Sequence, residues 1–206
     1  RTSQRMGMIY GLSQASEADL ERLHQNPKQI HAFLSRNYPQ KPSSPPRPGL
    51  FARLFGWRQP EASIPNDLPA TEPFTVGTEE SDLDKAWHGL HFLFTETAWD
   101  GVPPASFLLK GGREIGAEDV GYGPASSFTP SEVRDVDEYL RQLDPQVLRT
   151  RFNPDRMMKL EIYPTIWDRD PAEDDTLGYL LEYFEILREF VSKTAARGLG
   201  LVVYTG

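Results

Sequence analysis

The sequence predicts an α+β fold: a mainly helical single domain with a small sheet that includes the N- and C-terminal strands. Three observations lead there. Short β-rich apolar runs stand near the two ends, Met8-Ile9-Tyr10-Gly11-Leu12 and Leu199-Gly200-Leu201-Val202-Val203-Tyr204. Between them, helix-start signals recur. The apolar residues that follow those signals repeat at helical spacing rather than alternating.

Met8 to Leu12 reads as a buried strand. At Ser16-Glu17-Ala18-Asp19 the hydroxyl can cap free backbone N–H groups and the acids suit the positive helix end, so a helix runs to about Gln25. Asn26-Pro27 restarts a helix with Ile30, Phe33 and Leu34 on one side. A helix is expected from Asp82 to about Thr95. Thr129-Pro130-Ser131-Glu132 has the form of a capping box, followed by the stripe Val133, Val136, Leu140, Leu143. Asp144-Pro145 and Asn153-Pro154 open two shorter helices. The longest helix is expected from Thr176 to Arg197, with Leu177, Leu180, Phe184, Leu187 and Val191 as its stripe and Gly198 as its stop. The final apolar run then pairs with, or lies beside, the opening strand.

Residues 6–206 read as one domain, and residues 38–75 as a proline-rich insertion or loop within it. Nine of the 18 prolines fall between Pro39 and Pro73. Proline has no N–H to donate and biases the residue before it away from helix, so regular structure is not expected there. Inside this stretch Leu50, Leu54 and Trp57 share a helical face, which reads as a small helix docking the insertion onto the domain, with a partner or membrane-surface anchor as the alternative. Residues 1–5 read as an extension upstream of the fold.

The 206 residues carry a net charge of -8 and no cysteine. The missing thiols remove disulfides and thiolate chemistry and suit a reducing compartment. Acidity argues against a general nucleic-acid binder, because phosphate contacts require a basic surface. No apolar run approaches the ~18 residues of a membrane span and no signal peptide opens the chain, so the expected location is cytoplasmic, without stable membrane association.

Charge is also uneven. Residues 26–60 hold six basic side chains and no acid, whereas residues 168–189 hold eight acids against Arg169 and Arg188. Asp168, Asp170, Glu173, Asp174 and Asp175 form a candidate surface for a basic partner; the plainer account is a solvated loop leading into a helix start.

Candidate ligand-binding residues come from three clusters. Asp84, His88 and His91 fall on one helical face, beside Trp87. Imidazole and carboxylate are metal ligands, but two histidines three apart with no glutamate between them do not form the zinc-protease helix, so no metal site is assigned. Tyr122 lies in Gly121-Tyr122-Gly123-Pro124, downstream of Lys110-Gly111-Gly112-Arg113; these glycines read as two tight turns. Tyr163 and Trp167 flank Pro164 in an aromatic corner, where core packing is the default and ligand contact the alternative. No nucleophile elbow, kinase set or paired-carboxylate motif appears. No catalytic residue and no cofactor are assigned.

Met6-Gly7-Met8, Asp84-Lys85-Ala86-Trp87-His88-Gly89-Leu90-His91, Gly121-Tyr122-Gly123-Pro124, Ile162-Tyr163-Pro164 with Trp167, and Leu201-Val202-Val203-Tyr204 together resemble the bacterial YfbM-like family of unknown function. The resemblance implies an α+β bacterial protein and transfers no catalytic residue. Two functional expectations follow. The sequence favours a non-catalytic protein-interaction role toward a basic protein partner such as a toxin, in the manner of an immunity protein. The other expectation is a small-molecule-binding protein or enzyme with a pocket where His88, His91, Tyr122, Tyr163 and Trp167 converge.

Overall fold

The computed structural model describes residues 7–37, 73–75 and 78–206. The amphipathic segment expected around Leu50 to Arg58, and most of the proline-rich stretch, lie outside these residues. Five strands, β1 (Tyr10–Ala15), β2 (Glu80–Asp82), β3 (Arg113–Asp119), β4 (Pro124–Phe128) and β5 (Gly200–Thr205), form one antiparallel sheet in the order β2-β1-β5-β4-β3. The described helices are α1 (Glu17–Gln25), α2 (Ile30–Leu34), α3 (Trp87–Thr95), α4 (Pro130–Gln142), α5 (Pro145–Arg151), α6 (Pro154–Lys159) and α7 (Thr176–Ala196). The class is α+β, as the sequence predicts, and the two terminal strands pair directly through six register partners from Tyr10↔Thr205 to Ala15↔Gly200.

Strand parity sorts the core. Tyr10, Leu12, Leu201, Val203 and Phe128 face one side of the sheet and join the large cluster built with α3 to α7. Ala15, Val202, Ile115 and Ala125 face the other side and pack with Leu20, Leu23, Ile30 and Phe33 of α1 and α2. Helices therefore cover both faces. Ser127, two residues after Ala125, points the same way, toward α1.

The capping signals are realised. Ser16 accepts from the Asp19 N–H, Asp144 from Gln146 and Asn153 from Arg156; Asp175, not expected as a cap, accepts from Gly178. Thr129 and Glu132 complete a reciprocal capping box. Of the predicted α4 stripe, Val133, Val136 and Leu140 are buried, and Leu143 is the half-buried C-cap.

Two expectations are corrected. The helix predicted from Asp82 starts at Trp87; residues 80–82 are instead the edge strand β2. Asp84 has φ 42°, outside the helical region, and its own N–H is held by the Asp82 carboxylate at 2.9 Å. The glycine-rich region is also more regular than two isolated turns, because it builds the β3–β4 hairpin.

Arg36 fastens the edge of the sheet. Its side chain, 3% exposed, donates to Ser13 Oγ (3.0 Å), the Gln14 carbonyl (2.7 Å), Thr78 Oγ1 (2.6 Å) and the Phe33 carbonyl (2.7 Å), and pairs with Glu80 at 3.4 Å. The guanidinium lies 3.7 Å from the centroid of the Phe33 ring.

Candidate functional site

The histidine-bearing helix is interior. Trp87, His88 and His91 are all buried. The His88 ring has both nitrogens engaged: Nδ1 accepts the Tyr163 N–H at 3.0 Å and Nε2 donates to the Ala98 carbonyl at 2.8 Å. That pattern fixes a neutral Nε2–H tautomer. Burial holds the His88 pKa below its ordinary value. Trp87 stacks on His88 at 5.1 Å between ring centres and on Tyr163 at 5.7 Å. Its indole donates to the Met8 carbonyl at 3.2 Å, while the Met8 N–H donates to the Tyr163 hydroxyl at 3.0 Å. Trp99 tilts over the His88 ring at 4.3 Å.

His91 is sealed without a hydrogen-bond partner at either nitrogen. Burial, and then the neighbouring His88, push its pKa down to about 4. Trp167 donates to the Ile162 carbonyl at 2.7 Å from within the core. Asp84 accepts the Tyr179 hydroxyl at 2.9 Å, and that hydroxyl in turn accepts the Lys85 N–H. Tyr122 lies in the β3–β4 turn, 56% exposed, with its N–H on the Thr205 carbonyl at 2.9 Å. Thus Trp87, His88 and Tyr163 meet in one stacked, hydrogen-bonded knot. Asp84 joins Tyr179 instead, and Tyr122 lies at the end of β5. No group of three or more His, Asp or Glu among the described residues could hold a metal ion.

A cleft opens elsewhere, on the α1 side of the sheet. It has a volume of about 710 Å³ and runs between α1, the β3–β4 pair and the start of α4. Glu17, Glu21 and His24 line it from α1 at positions one helical turn apart, Arg113 from β3, and Thr129 and Glu132 from the α4 start. Leu20 and Ser127 are its buried lining residues.

His24 Nε2 lies 2.8 Å from Ser127 Oγ. The same hydroxyl lies 3.1 Å from the Arg113 carbonyl, to which it can donate. A serine hydroxyl has one hydrogen, so two arrangements alternate by rotation about its C–O bond. Either the imidazole donates to Oγ and the hydroxyl to the carbonyl, or the hydroxyl donates to the imidazole. Burial, and then the positive Arg113, keep the His24 pKa below its ordinary value, so the ring is neutral at neutral pH and can accept. This pair was missed from sequence. The residues are 103 positions apart, and neither carries a local motif.

The exposed acids are partly spoken for by the fold. Asp170 accepts the Ala172 N–H at 2.9 Å, Asp174 pairs with Arg169, and Asp175 caps α7. No helix of the described residues is long and apolar enough to cross a membrane.

Comparison with known proteins agrees on the fold and assigns no activity. The structure is similar to the crystal structure of YfbM, a protein of unknown function from Escherichia coli, with a TM-score of 0.64, 20% sequence identity and coverage of 97% of this chain and 100% of that one. No curated protein matches significantly. A family profile described as a domain of unknown function, DUF1877, matches residues 6–204. Nearly the whole chain is thus accounted for, and the protein belongs to the DUF1877 family.

Proposed function

We propose that the protein binds a small polar molecule in the cleft between α1 and the start of α4. The observation supporting this is the 2.8 Å His24–Ser127 contact inside a cleft of about 710 Å³. A space of this size suits a small ligand, and convergent polar groups within it would fix the ligand's orientation. Glu17, Glu21 and the Arg113 guanidinium have no ion-pair partner among the described residues, so charges of both signs remain for a ligand. The small-molecule reading thereby moves away from the His88–His91 helix, whose polar atoms lie in the core. Amide NMR with a fragment set of amines, carboxylic acids and esters tests it. Saturable shifts should cluster at His24, Arg113 and Ser127 and vanish in Arg113→Ala. Shifts scattered over the surface, or none that saturate, would refute the reading.

A second reading is a non-catalytic protein-interaction role in the bacterial cytoplasm, with a basic partner such as a toxin neutralised by an immunity protein. The supporting observation is that Asp168, Asp170, Glu173 and Asp175 are exposed, with Asp174 half-buried between them. Among the described residues, the Asp168 and Glu173 carboxylates have no hydrogen-bond or ion-pair partner, although the Glu173 N–H donates to the Asp170 carbonyl. Such a face speeds capture of a basic protein, an effect that salt weakens. The test is binding to the purified product of the adjacent gene, with the double variant Asp168→Lys/Glu173→Lys. Association should slow about tenfold at low salt. Equal on-rates for the two proteins would count against the role.

A further inference from the structure

We propose that Ser127 is a nucleophile and His24 its general base, acting on the ester or thioester carbonyl of a small acyl compound held in the cleft. This deepens the small-molecule reading above and depends on it.

Three features support the assignment. The two side chains are within proton-transfer distance, 2.8 Å. They line the same cleft, where a substrate carbonyl can reach them. Arg113, on the strand paired with Ser127, adds a full positive charge to the same lining. It suits a substrate bearing a carboxylate or phosphate near the reacting carbonyl.

The chemistry balances without a co-reactant other than water. Ser127 Oγ forms a bond to the carbonyl carbon while His24 Nε2 takes the hydroxyl proton, and the carbonyl π pair moves onto its oxygen. The tetrahedral species collapses, breaking the bond to the leaving alcohol or thiol, which receives the proton from His24. Water then attacks the acyl-serine, giving its proton to His24. Collapse of that second tetrahedral species releases the carboxylic acid and returns the proton to Ser127.

A purely structural use of the pair would pin α1 to the sheet, and an amide can pin as well as an imidazole. An amide cannot take up the hydroxyl proton, whereas the imidazole can. This difference separates the two roles. The full chain is treated with a fluorophosphonate probe and digested for mass spectrometry, and p-nitrophenyl butyrate hydrolysis is followed in parallel. The native protein should carry one adduct, on Ser127. Its rate should rise with pH through the His24 ionisation to a plateau. The titratable groups that share the cleft with that ring are Glu17 and Glu21 on its own helix, Arg113 on β3 and Glu132 on α4, and Arg113 is the charge that acts on it. His24→Gln keeps a hydrogen bond to Ser127 and should lose at least about a hundredfold in rate, with an unchanged circular dichroism spectrum. Ser127→Cys, which does not depend on a serine-selective probe, should be alkylated by iodoacetamide faster than the Ser127→Cys/His24→Gln double variant. An unlabelled Ser127 in the native protein, or equal labelling of native and His24→Gln, overturns the proposal. If saturable ligand shifts at the cleft survive that result, only the nucleophile assignment falls. If they are absent too, both readings fall.

Discussion

The imidazole Nδ1 of His88 accepts the backbone N–H of Tyr163 at 3.0 Å, joining α3 to a segment 75 residues downstream. Its Nε2 meanwhile serves the Ala98 carbonyl. Replacing this ring leaves a buried donor and a buried acceptor without partners, the expensive way to lose a hydrogen bond. His88→Ala is expected to destabilise the protein by about 3–5 kcal/mol, combining the lost bonds with a cavity beneath Trp87. Urea denaturation measures it. A loss under about 1 kcal/mol would mean that the knot contributes little.

Acid should weaken the fold through its histidines. His24, His88 and His91 all have folded-state pKa values below the ordinary 6.5. The unfolded chain therefore binds more protons than the native one once pH drops below about 6.5. The stability these neutral rings contribute is complete above that pH and is lost as pH falls, for His91 down to about 4. That shift alone corresponds to roughly 3 kcal/mol. Chemical denaturation at pH 7.5 and pH 5 should show the drop, and His91→Phe should flatten it.

Arg36→Ala should cost about 3–5 kcal/mol, because removal strands Glu80 and several oxygens around a buried site. The five-donor fork is what reaches Ser13, Gln14, Thr78 and Glu80 together. Arg36→Lys keeps the charge and loses the fork, so it should recover less than half of the lost stability. Thermal unfolding of the three proteins at one pH decides this; full recovery by lysine would contradict the geometry.

Gly89→Ala tests packing against propensity. Alanine is the better helix former by about 1 kcal/mol. In α3, however, a Cβ at Gly89 would come 2.7 Å from both Leu180 Cδ2 and Trp167 Cη2. Overpacking costs about 1–3 kcal/mol, and Trp167 is fixed by its bond to Ile162, so the substitution should destabilise despite the propensity gain. A higher melting temperature would show that the α3–α7 contact gives way.

What sequence revealed of this fold follows from where its signals are local. Ser16, Thr129, Asp144 and Asn153 cap the helices they precede, and the apolar runs at the two ends became paired strands. The hairpin was hidden because β3 buries only Ile115 fully and β4 reads Pro-Ala-Ser-Ser-Phe, with neither run offering alternation of large apolar residues. β2 was hidden because Glu-Ser-Asp is polar and three residues long. His88 and Trp87 stood out by composition, and the structure shows the physical cause: their polar atoms are needed to bind core segments together. His24 and Ser127 did not stand out, since only strand parity and the placement of α1 on one sheet face bring them into contact.

The middle position of β5 bears on how the chain reaches this fold during synthesis. Of the five strands it is the last to leave the ribosome, yet it separates β1 from β4. Until residues 200–205 emerge, β1 and β4 each keep a bare edge, and the two halves of the sheet have no shared ladder. Nascent intermediates of this protein therefore expose pairing edges until β5 has been made. Contacts spanning most of the chain also place it among slow folders, with a standing need for protection against aggregation until the final ladder zips shut.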